Sequence, residues 1–466
     1  MAGAGMRILG KLLKWLAILA VIVVAGFAAW LYFAPPALIQ VAAGYSAKMV
    51  CSNVFIADRD QHEVLKVDVQ APGHPILGLI SMSVDRDTKT AFAELLGMFG
   101  GGLAVAHDGA GCASVPDGDI AAATLPAIPL ATGAAGAGLW PEGETVEPSQ
   151  DPAVAAILDD PAMTGPGMRA IVVVKNGRIV GERYGEGFSA TTPLLGWSMT
   201  KTVTAAIIGT LVGQGKIGLD DTGLFEAWKA DGRNAIKLRD LLSMSSGLEF
   251  NEDYGDVTDV TRMLYLEPDM AAFAAAKPLV NDVGKAFSYS SGTTVMLSRI
   301  WQNAVGDKAE ALAWPRKALF DPIGMRSAVL EADARGTFVG SSYLYASGRD
   351  WARFGQLLLQ DGVWNGQKIL PDGYAAFMRE PSEPAPNEYT KGQMWLNGPS
   401  AGTPDGEDPD AGFDLPADAV WALGHDGQSI ALVPSLKLAV IRLGLTPSKL
   451  GYKSQAMVQA LVKALP

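Results

Sequence analysis

The sequence predicts an α+β protein in which helices flank an antiparallel sheet built from two distant parts of the chain. β-Branched runs at 169–175 and 178–184 surround Asn176-Gly177, a dipeptide that tolerates the positive φ angles of a tight hairpin turn. More strand-like runs lie between residues 419 and 443. Helical patterns occupy the chain between the two groups, so we expect both groups to meet in one sheet.

The N-terminal 36 residues predict a signal anchor, that is, a transmembrane helix that is retained. Arg7, Lys11 and Lys14 precede an uncharged run over residues 15–34. A helix of that length spans about 30 Å, the hydrocarbon thickness of a bilayer. Because the basic residues precede the run, we expect a cytoplasmic N-terminus and export of the chain after Pro36 to the periplasm or another extracytoplasmic space. The membrane is therefore an expected partner.

Two other interpretations of this segment stay open. A cleavable signal peptide usually has an apolar stretch of about 7–15 residues and a small-residue exit, whereas residues 30–33 are bulky and aromatic. A long signal peptide removed near Ala42-Ala43-Gly44 is the first alternative. The second, a buried helix of a soluble domain, does not suit the basic flank.

The remaining chain divides by composition into three segments. Residues 37–119 predict a small α+β appendage. Residues 120–150 are rich in Ala, Pro and Gly without periodicity, which indicates a linker or a wrapped loop. Residues 151–466 carry the helix and strand patterns of the main domain.

Both cysteines, Cys51 and Cys112, lie in the predicted appendage, which also has β-like runs at 64–69 and 76–84. In an oxidising compartment two cysteines of one small unit are expected to form a disulfide. Two buried free thiols are the alternative.

Composition excludes several classes of protein. Hydrophobic residues make up 49% of the 466 residues, which rules out a mostly disordered chain. A net charge of −12 argues against a nucleic-acid partner, which needs a concentrated basic surface. Two Cys cannot form a four-Cys zinc site, and the four His (His62, His74, His107 and His425) lack metal-ligand spacing. We expect no metal and no cofactor.

Ser198-Met199-Thr200-Lys201 is a Ser-x-x-Lys tetrad at the start of a helical pattern over 198–212. Residues i and i+3 share a helix face, so Lys201 can reach the Ser198 hydroxyl. A serine hydroxyl becomes a nucleophile when a base removes its proton, and a buried Lys can serve as that base. The alternative is an ordinary first helical turn with a solvated Lys.

Two further motifs suit acyl transfer. Tyr289 precedes Ser-Ser-Gly, and a phenol at the mouth of a site can relay a proton to a leaving group. The Gly-rich turn Gly424–Gln428 lies between two strand-like runs, where N–H groups can supply half of an oxyanion hole and the Ser198 N–H the other half. The alternative for Tyr289 is an aromatic residue buried in the core. The alternative for Gly424–Gln428 is a plain hairpin turn.

In the order of these motifs, residues 150–466 resemble the serine β-lactamase and penicillin-binding superfamily, in its class C-like esterase branch. The motifs are most similar to those of the 6-aminohexanoate-oligomer (nylon-oligomer) hydrolases. The similar stretches are Trp197–Lys201, Met244–Leu248, Phe250–Tyr254, Phe287–Gly292 and Gly424–Gln428. The resemblance implies a β-lactamase-like antiparallel sheet flanked by helices, with a separate all-helical lobe.

The resemblance also implies catalytic roles. Ser198 would be acylated, and Lys201 and Tyr289 would form the acid–base pair. The backbone N–H groups of Ser198 and Gln428 would hold the oxyanion. The substrate would be a small-molecule ester or amide.

Binding roles follow from the same resemblance. His425 would occupy the position where β-lactamases carry the Lys of Lys-Thr-Gly, with Gly427 two residues on. Tyr254 would contact a leaving amine or an acyl chain. Two departures matter: Ser291 stands where β-lactamases usually place Asn, and His425 removes the fixed positive charge that would receive a substrate carboxylate. Both favour esters or simple amides.

Two alternative functions stay open. One is a penicillin-binding D-Ala-D-Ala peptidase or a β-lactamase. The other is a non-catalytic protein that keeps the fold and binds wall peptides. An acidic stretch, residues 405–418, has six acidic residues among fourteen. It is either a solvated loop or a lid that would repel anionic substrates at low salt.

Overall fold

The computed structural model describes residues 2–128, 130–131, 136–404 and 406–465. Eight residues covered by the predictions lie outside the described residues: Met1 of the anchor, Pro129 and residues 132–135 of the predicted linker, Asp405 of the acidic stretch, and Pro466.

The described α-helices are α1 (Ala2–Phe33), α2 (Ala37–Ala57), α3 (Gln61–Glu63), α4 (Pro152–Asp159), α5 (Pro161–Thr164), α6 (Thr200–Gly213), α7 (Leu238–Leu242), α8 (Asp259–Leu266), α9 (Met270–Ala275), α10 (Ser291–Val305), α11 (Lys308–Pro315), α12 (Asp321–Ile323), α13 (Gly348–Leu359), α14 (Tyr374–Arg379) and α15 (Gln455–Ala464).

The described strands are β1 (Ile80–Asp85), β2 (Thr90–Leu95), β3 (Phe99–His107), β4 (Gly111–Ser114), β5 (Gly136–Leu139), β6 (Gly143–Thr145), β7 (Met168–Lys175), β8 (Arg178–Tyr184), β9 (Leu194–Leu195), β10 (Val329–Leu330), β11 (Leu344–Ala346), β12 (Val363–Trp364), β13 (Gln367–Lys368), β14 (Pro381–Ser382), β15 (Ala385–Thr390), β16 (Val420–Gly424), β17 (Gln428–Val433) and β18 (Leu438–Gly444).

The largest sheet joins the two distant groups of strands, as the sequence predicts. Its order is β16-β17-β18-β7-β8, antiparallel throughout, and Val440 of β18 pairs with Val173 of β7. The β7–β8 turn is Asn176-Gly177, whose φ angles are 50° and 79°. The predicted α+β class, an antiparallel sheet flanked by helices, is confirmed.

Each face of this sheet packs against helices, because successive strand side chains point to opposite sides. Val172 and Ile441 belong to the core on the side of α13, whose Gly355 faces Leu432 and Ala439. Ile171, Val173 and Val440 pack on the other side with α4 and α15 through Val154, Leu158, Met457 and Leu461. Between β8 and β16 the chain forms a helical layer in which α10 packs against α6, α7, α9 and α11.

The N-terminal part begins with an apolar helix. Among the described residues, one helix, Arg7–Phe33, is long and apolar enough to cross a membrane, and none of its most apolar window is buried in the protein. Its length and composition suit a signal anchor or a transmembrane segment. The next helix, α2, follows after three residues.

Helix α2 is largely buried, between a four-stranded sheet (order β1-β2-β3-β4) and the main domain. At Gly102 of β3 a Cβ atom would lie 2.3 Å from the Ala43 carbonyl carbon, so only glycine allows this approach to α2. A disulfide joins Cys51 of α2 to Cys112 of β4. The Lys48 ammonium of α2 forms a buried ion pair with Glu331 of the main domain.

The prediction of a β-strand at 64–69 is wrong, because Val64–Gln70 forms a π-helical turn that continues α3. The Asp60 carboxylate caps α3 by accepting hydrogen bonds from the N–H groups of His62 and Glu63, which favours helix over strand. Asp68 in this turn binds Arg169 of the main domain, with 2.6 Å between Oδ1 and Nη1. The run predicted at 76–84 becomes a strand only from Ile80.

Candidate active site

Ser198 lies in the 3-10 turn Trp197–Met199 that leads into α6. Trp197 has φ of 48°, a left-handed conformation that costs a bulky residue roughly 1–3 kcal/mol. The Trp197 ring packs 5.8 Å from the Tyr343 ring and 5.6 Å from the His425 ring, measured between centroids. This packing holds the strained turn, and with it the position of the Ser198 hydroxyl.

Lys201, one helical turn later, is 1% exposed. Its Nζ donates to the Ser198 Oγ at 3.1 Å, to the Ser291 Oγ at 3.0 Å and to the Ser341 carbonyl at 3.1 Å. Burial lowers the pKa of Lys201 to about 8, although the nearby Glu252 charge opposes that shift. A buried amine with this pKa is partly neutral near pH 7 and can accept a proton.

Tyr289 lines the same cleft as Ser198. Its half-buried ring is 4.8 Å from the Lys201 Nζ, measured to the ring centroid, and packs against Trp395 at 5.0 Å. Loss of solvent and the Glu252 charge raise the pKa of Tyr289 well above its ordinary value, and a hydrogen bond with the Ser198 side chain opposes them. The phenol is therefore protonated at neutral pH.

Glu252 completes this network, and the sequence did not assign it a role. Its Oε1 accepts from the Ser291 hydroxyl at 2.5 Å, and its Oε2 accepts from the Ser291 N–H at 2.7 Å. Burial raises the pKa of Glu252, and the Lys201 charge opposes that effect. A chain of contacts thus runs from Ser198 through Lys201 and Ser291 to Glu252. The sequence signal that could have identified Glu252 is its position within Phe250–Tyr254, one of the stretches that carry the family resemblance.

The end of β16 lies directly beside the Ser198 turn. A Cβ on Gly424 would lie 2.2 Å from the Gly196 carbonyl oxygen, so glycine is required for this approach. After it the chain turns through Asp426 and Gly427, with φ of 57° and 80°. The Gln428 side chain bonds to the Gly444 backbone in both directions, at 2.6 and 2.8 Å, which fixes the start of β17. Ser198 and Gln428 both line the cleft described next.

The cleft in front of Ser198 has a volume of about 1030 Å³. Its lining includes Tyr289, Glu252 and Trp395 together with residues 423–428. Residues 406–409 of the acidic stretch also line it, with the exposed Glu407 and Asp408. The stretch therefore borders the cleft.

Tyr254 and His425 form a stacked pair in the lining of the cleft. Their ring centroids are 5.5 Å apart and their planes 30° apart. The exposed His425 lies with its Nε2 3.5 Å from the Asp426 Oδ1. The structure thus brings all seven predicted catalytic and binding residues to one cleft, namely Ser198, Lys201, Tyr254, Tyr289, His425, Gly427 and Gln428. The cysteine pair lies apart, in the N-terminal part.

No group of three or more His, Cys, Asp or Glu side chains suited to a metal ion occurs among the described residues. The groups that surround Ser198 are an amine, a phenol, a carboxylate and backbone N–H groups. This set can move a proton and stabilise an oxyanion.

Known proteins resemble this chain over much of its length. The family described as Beta-lactamase matches residues 158–449. A 6-aminohexanoate-dimer hydrolase from Paenarthrobacter ureafaciens is 23% identical over 306 residues, which cover 60% of this chain and 72% of that protein.

Two solved structures are also similar. A Bacillus anthracis protein, provisionally assigned as a 6-aminohexanoate-dimer hydrolase, has 25% identity and a TM-score of 0.53, covering 64% of this chain and 79% of that one. A family VIII carboxylesterase has 15% identity and a TM-score of 0.53, covering 69% of this chain and 99% of that one. At 15% identity the second likeness shows the fold alone.

Proposed function

Because this chain belongs to the Beta-lactamase family, we propose that it is a serine hydrolase that cleaves an ester or amide bond through an acyl-enzyme on Ser198. The observation that carries the proposal is the 3.1 Å contact between the Lys201 Nζ and the Ser198 Oγ at the floor of a large cleft. A lysine buried this deeply, with its pKa lowered to about 8, is suited to act as a base.

In the proposed reaction, neutral Lys201 takes the Ser198 proton as the Ser198 oxygen attacks the substrate carbonyl. The Ser198 and Gln428 backbone N–H groups hold the tetrahedral oxyanion. Protonated Tyr289 gives its proton to the leaving alcohol or amine and recovers one from Lys201. Water then attacks the acyl-enzyme, its proton passes to the same pair, and Ser198 regains its proton as the acid leaves.

The charge of the cleft favours neutral ester and amide substrates. Its described lining includes five acidic residues, namely Glu252, Glu388, Glu407, Asp408 and Asp426. Lys201 is buried against Ser198, and no other Lys and no Arg belongs to the described lining. A substrate carboxylate, such as that of a penicillin or a D-Ala-D-Ala peptide, would face repulsion there. Linear amides are a proposed class because the Paenarthrobacter relative is named for a 6-aminohexanoate dimer. Since that dimer ends in a carboxylate, the charge of this cleft favours linear amides whose ends are neutral.

We propose that α1 anchors the enzyme in a membrane with the chain after Pro36 on the extracytoplasmic side. The exposed apolar surface of Arg7–Phe33 supports this placement. In intact spheroplasts, externally added protease should digest the catalytic domain. Protection of that domain, with digestion only after lysis, would contradict the orientation.

The catalytic proposal is tested on the full chain in phospholipid nanodiscs. An alkyl fluorophosphonate should label wild-type Ser198 but not the Ser198→Ala variant, and that variant should lose at least about 10⁴-fold in kcat on an acetyl ester. Full turnover by the variant would reject the acyl-enzyme. A long-lived penicillin adduct on Ser198 without ester or amide turnover would support the peptidase alternative. No labelling and no turnover would support a binding protein.

A further inference from the structure

A second cavity, of about 160 Å³, lies beside the catalytic cleft. More than half of its lining residues come from segment 38–77, which precedes the part of the chain that matches the family, residues 158–449. The aliphatic ones in this segment are Leu38, Val41, Ala42, Ile76 and Leu77. This wall is therefore an addition to the common hydrolase domain.

We propose that this cavity binds a neutral aliphatic acyl group of about six carbon atoms, on the ester or amide that Ser198 attacks. The inference rests on the proposed function and names part of its substrate. It assigns the N-terminal segment a role in substrate selection.

The cavity is a built site, because its two walls are fixed to each other. The Lys48–Glu331 ion pair joins α2 to the main domain, and Glu331 also accepts hydrogen bonds from the Ser52 hydroxyl at 2.8 Å and the Cys112 N–H at 2.5 Å. Lys48 and Glu331 are 1% and 0% exposed. The wall supplied by α2 is therefore held rigidly against the wall supplied by the main domain.

The cavity adjoins the catalytic cleft. Tyr254 and His425 line both spaces, and Trp197, the residue before Ser198, lines the smaller one. Tyr289, the proposed proton donor to the leaving group, lines only the cleft. Tyr254 and His425 therefore form the wall that the two spaces share. In the proposed binding mode the leaving group lies towards Tyr289, and the acyl group on Ser198 passes the Tyr254–His425 pair to reach the aliphatic cavity.

Size and polarity define the ligand. A protein cavity of about 150 Å³ lined by aliphatic and aromatic side chains accepts benzene, so about six carbon atoms fit here. The acidic side chain in the lining is Asp256, and His74 is exposed at its edge. Aliphatic walls penalise a charged acyl end, whereas each buried methylene should raise kcat/KM about fourfold.

The test measures kcat/KM for p-nitrophenyl acetate, butyrate, hexanoate and octanoate, on the full chain in nanodiscs so that no detergent competes. Wild type should rise to hexanoate and then fall. Half-buried Leu38 can be enlarged towards the cavity, so Leu38→Trp should lower the hexanoate value at least tenfold and change the acetate value less than twofold. Leu38→Ala should move the optimum to octanoate. Gln40→Trp, on the same helix but outside the lining, is the control.

The outcomes separate the two proposals. The acyl-subsite proposal is wrong if Leu38→Trp changes kcat/KM for all four esters equally, or if the wild-type kcat/KM does not rise with chain length. If Ser198 is labelled and the acetate ester is hydrolysed in that case, the hydrolase assignment stands. If Ser198→Ala keeps full ester turnover, the hydrolase assignment fails first, and the subsite with it.

Discussion

The Lys201 ammonium donates to the Ser291 hydroxyl over 3.0 Å, although the two residues lie 90 positions apart in the chain. Ser291 is 0% exposed, and its hydroxyl donates a hydrogen bond to Glu252. The side chain at this position therefore connects the proposed base to a carboxylate.

The pH dependence of wild type should report the Lys201 amine. Because the neutral amine is the proposed base and burial lowers its pKa to about 8, kcat/KM for a neutral ester should rise with pH to a plateau, half-maximal near pH 8. Lys201→Arg keeps a positive charge but cannot lose it, so it should lower kcat about 10²–10⁴-fold. A flat profile between pH 6 and 9 would contradict the assignment of the base.

Glu252→Gln should move that profile to lower pH. The Glu252 charge raises the pKa of Lys201, so a neutral amide in its place lets the amine lose its proton at lower pH. The measurement is the midpoint of the kcat/KM profile. Glu388→Gln, which also removes a carboxylate from the cleft lining but not from the Lys201 network, should leave the midpoint in place. Equal shifts in both variants would point to a general charge effect.

Substitutions of the neighbouring Ser290 and Ser291 should have different effects, one on the stability of the fold and the other on catalysis. Ser291→Ala breaks the link between Lys201 and Glu252, so kcat should fall at least tenfold with an altered pH midpoint. Ser290 caps α10 by accepting from the Thr293 N–H at 3.0 Å, so Ser290→Ala should reduce the free energy of unfolding by about 1 kcal/mol and keep kcat within twofold. Thermal unfolding and ester kinetics on both variants test this; the reverse pattern would refute it.

Lys48→Met should destabilise the fold strongly. It leaves the Glu331 carboxylate buried without its cation, which typically costs about 3–5 kcal/mol. Lys89→Met is the control, because the Lys89–Asp108 pair has side chains 45% and 72% exposed and should contribute at most about 1 kcal/mol. Denaturant unfolding followed by tryptophan fluorescence compares the two. Equal stabilities would mean that the buried pair does not hold the N-terminal part to the main domain.

The sequence predicted those features of the fold and the site that depend on residues close together in the chain. The Asn176-Gly177 turn placed the ends of two strands at Lys175 and Arg178, as the structure has them. The i, i+3 spacing placed Lys201 within reach of Ser198.

Contacts between distant parts of the chain could not be predicted from such local patterns. Glu252 meets Ser291 across 39 positions, and Lys48 meets Glu331 across 283, which no periodicity encodes. The valine-rich run at 64–69 misled for a related reason. A cap at Asp60 and the ion pair of Asp68 with Arg169 outweigh the β-propensity of its residues.

The junction between α1 and α2 sets how far the catalytic domain can move from a bilayer. Three residues separate Phe33 from Ala37, and three extended residues cover only about 10 Å. With α1 inserted, the Ser198 cleft stays at a nearly constant height above the lipid headgroups. The enzyme would then act only on molecules that come to the membrane surface. A protein on a long flexible tether could instead reach substrates farther from the membrane.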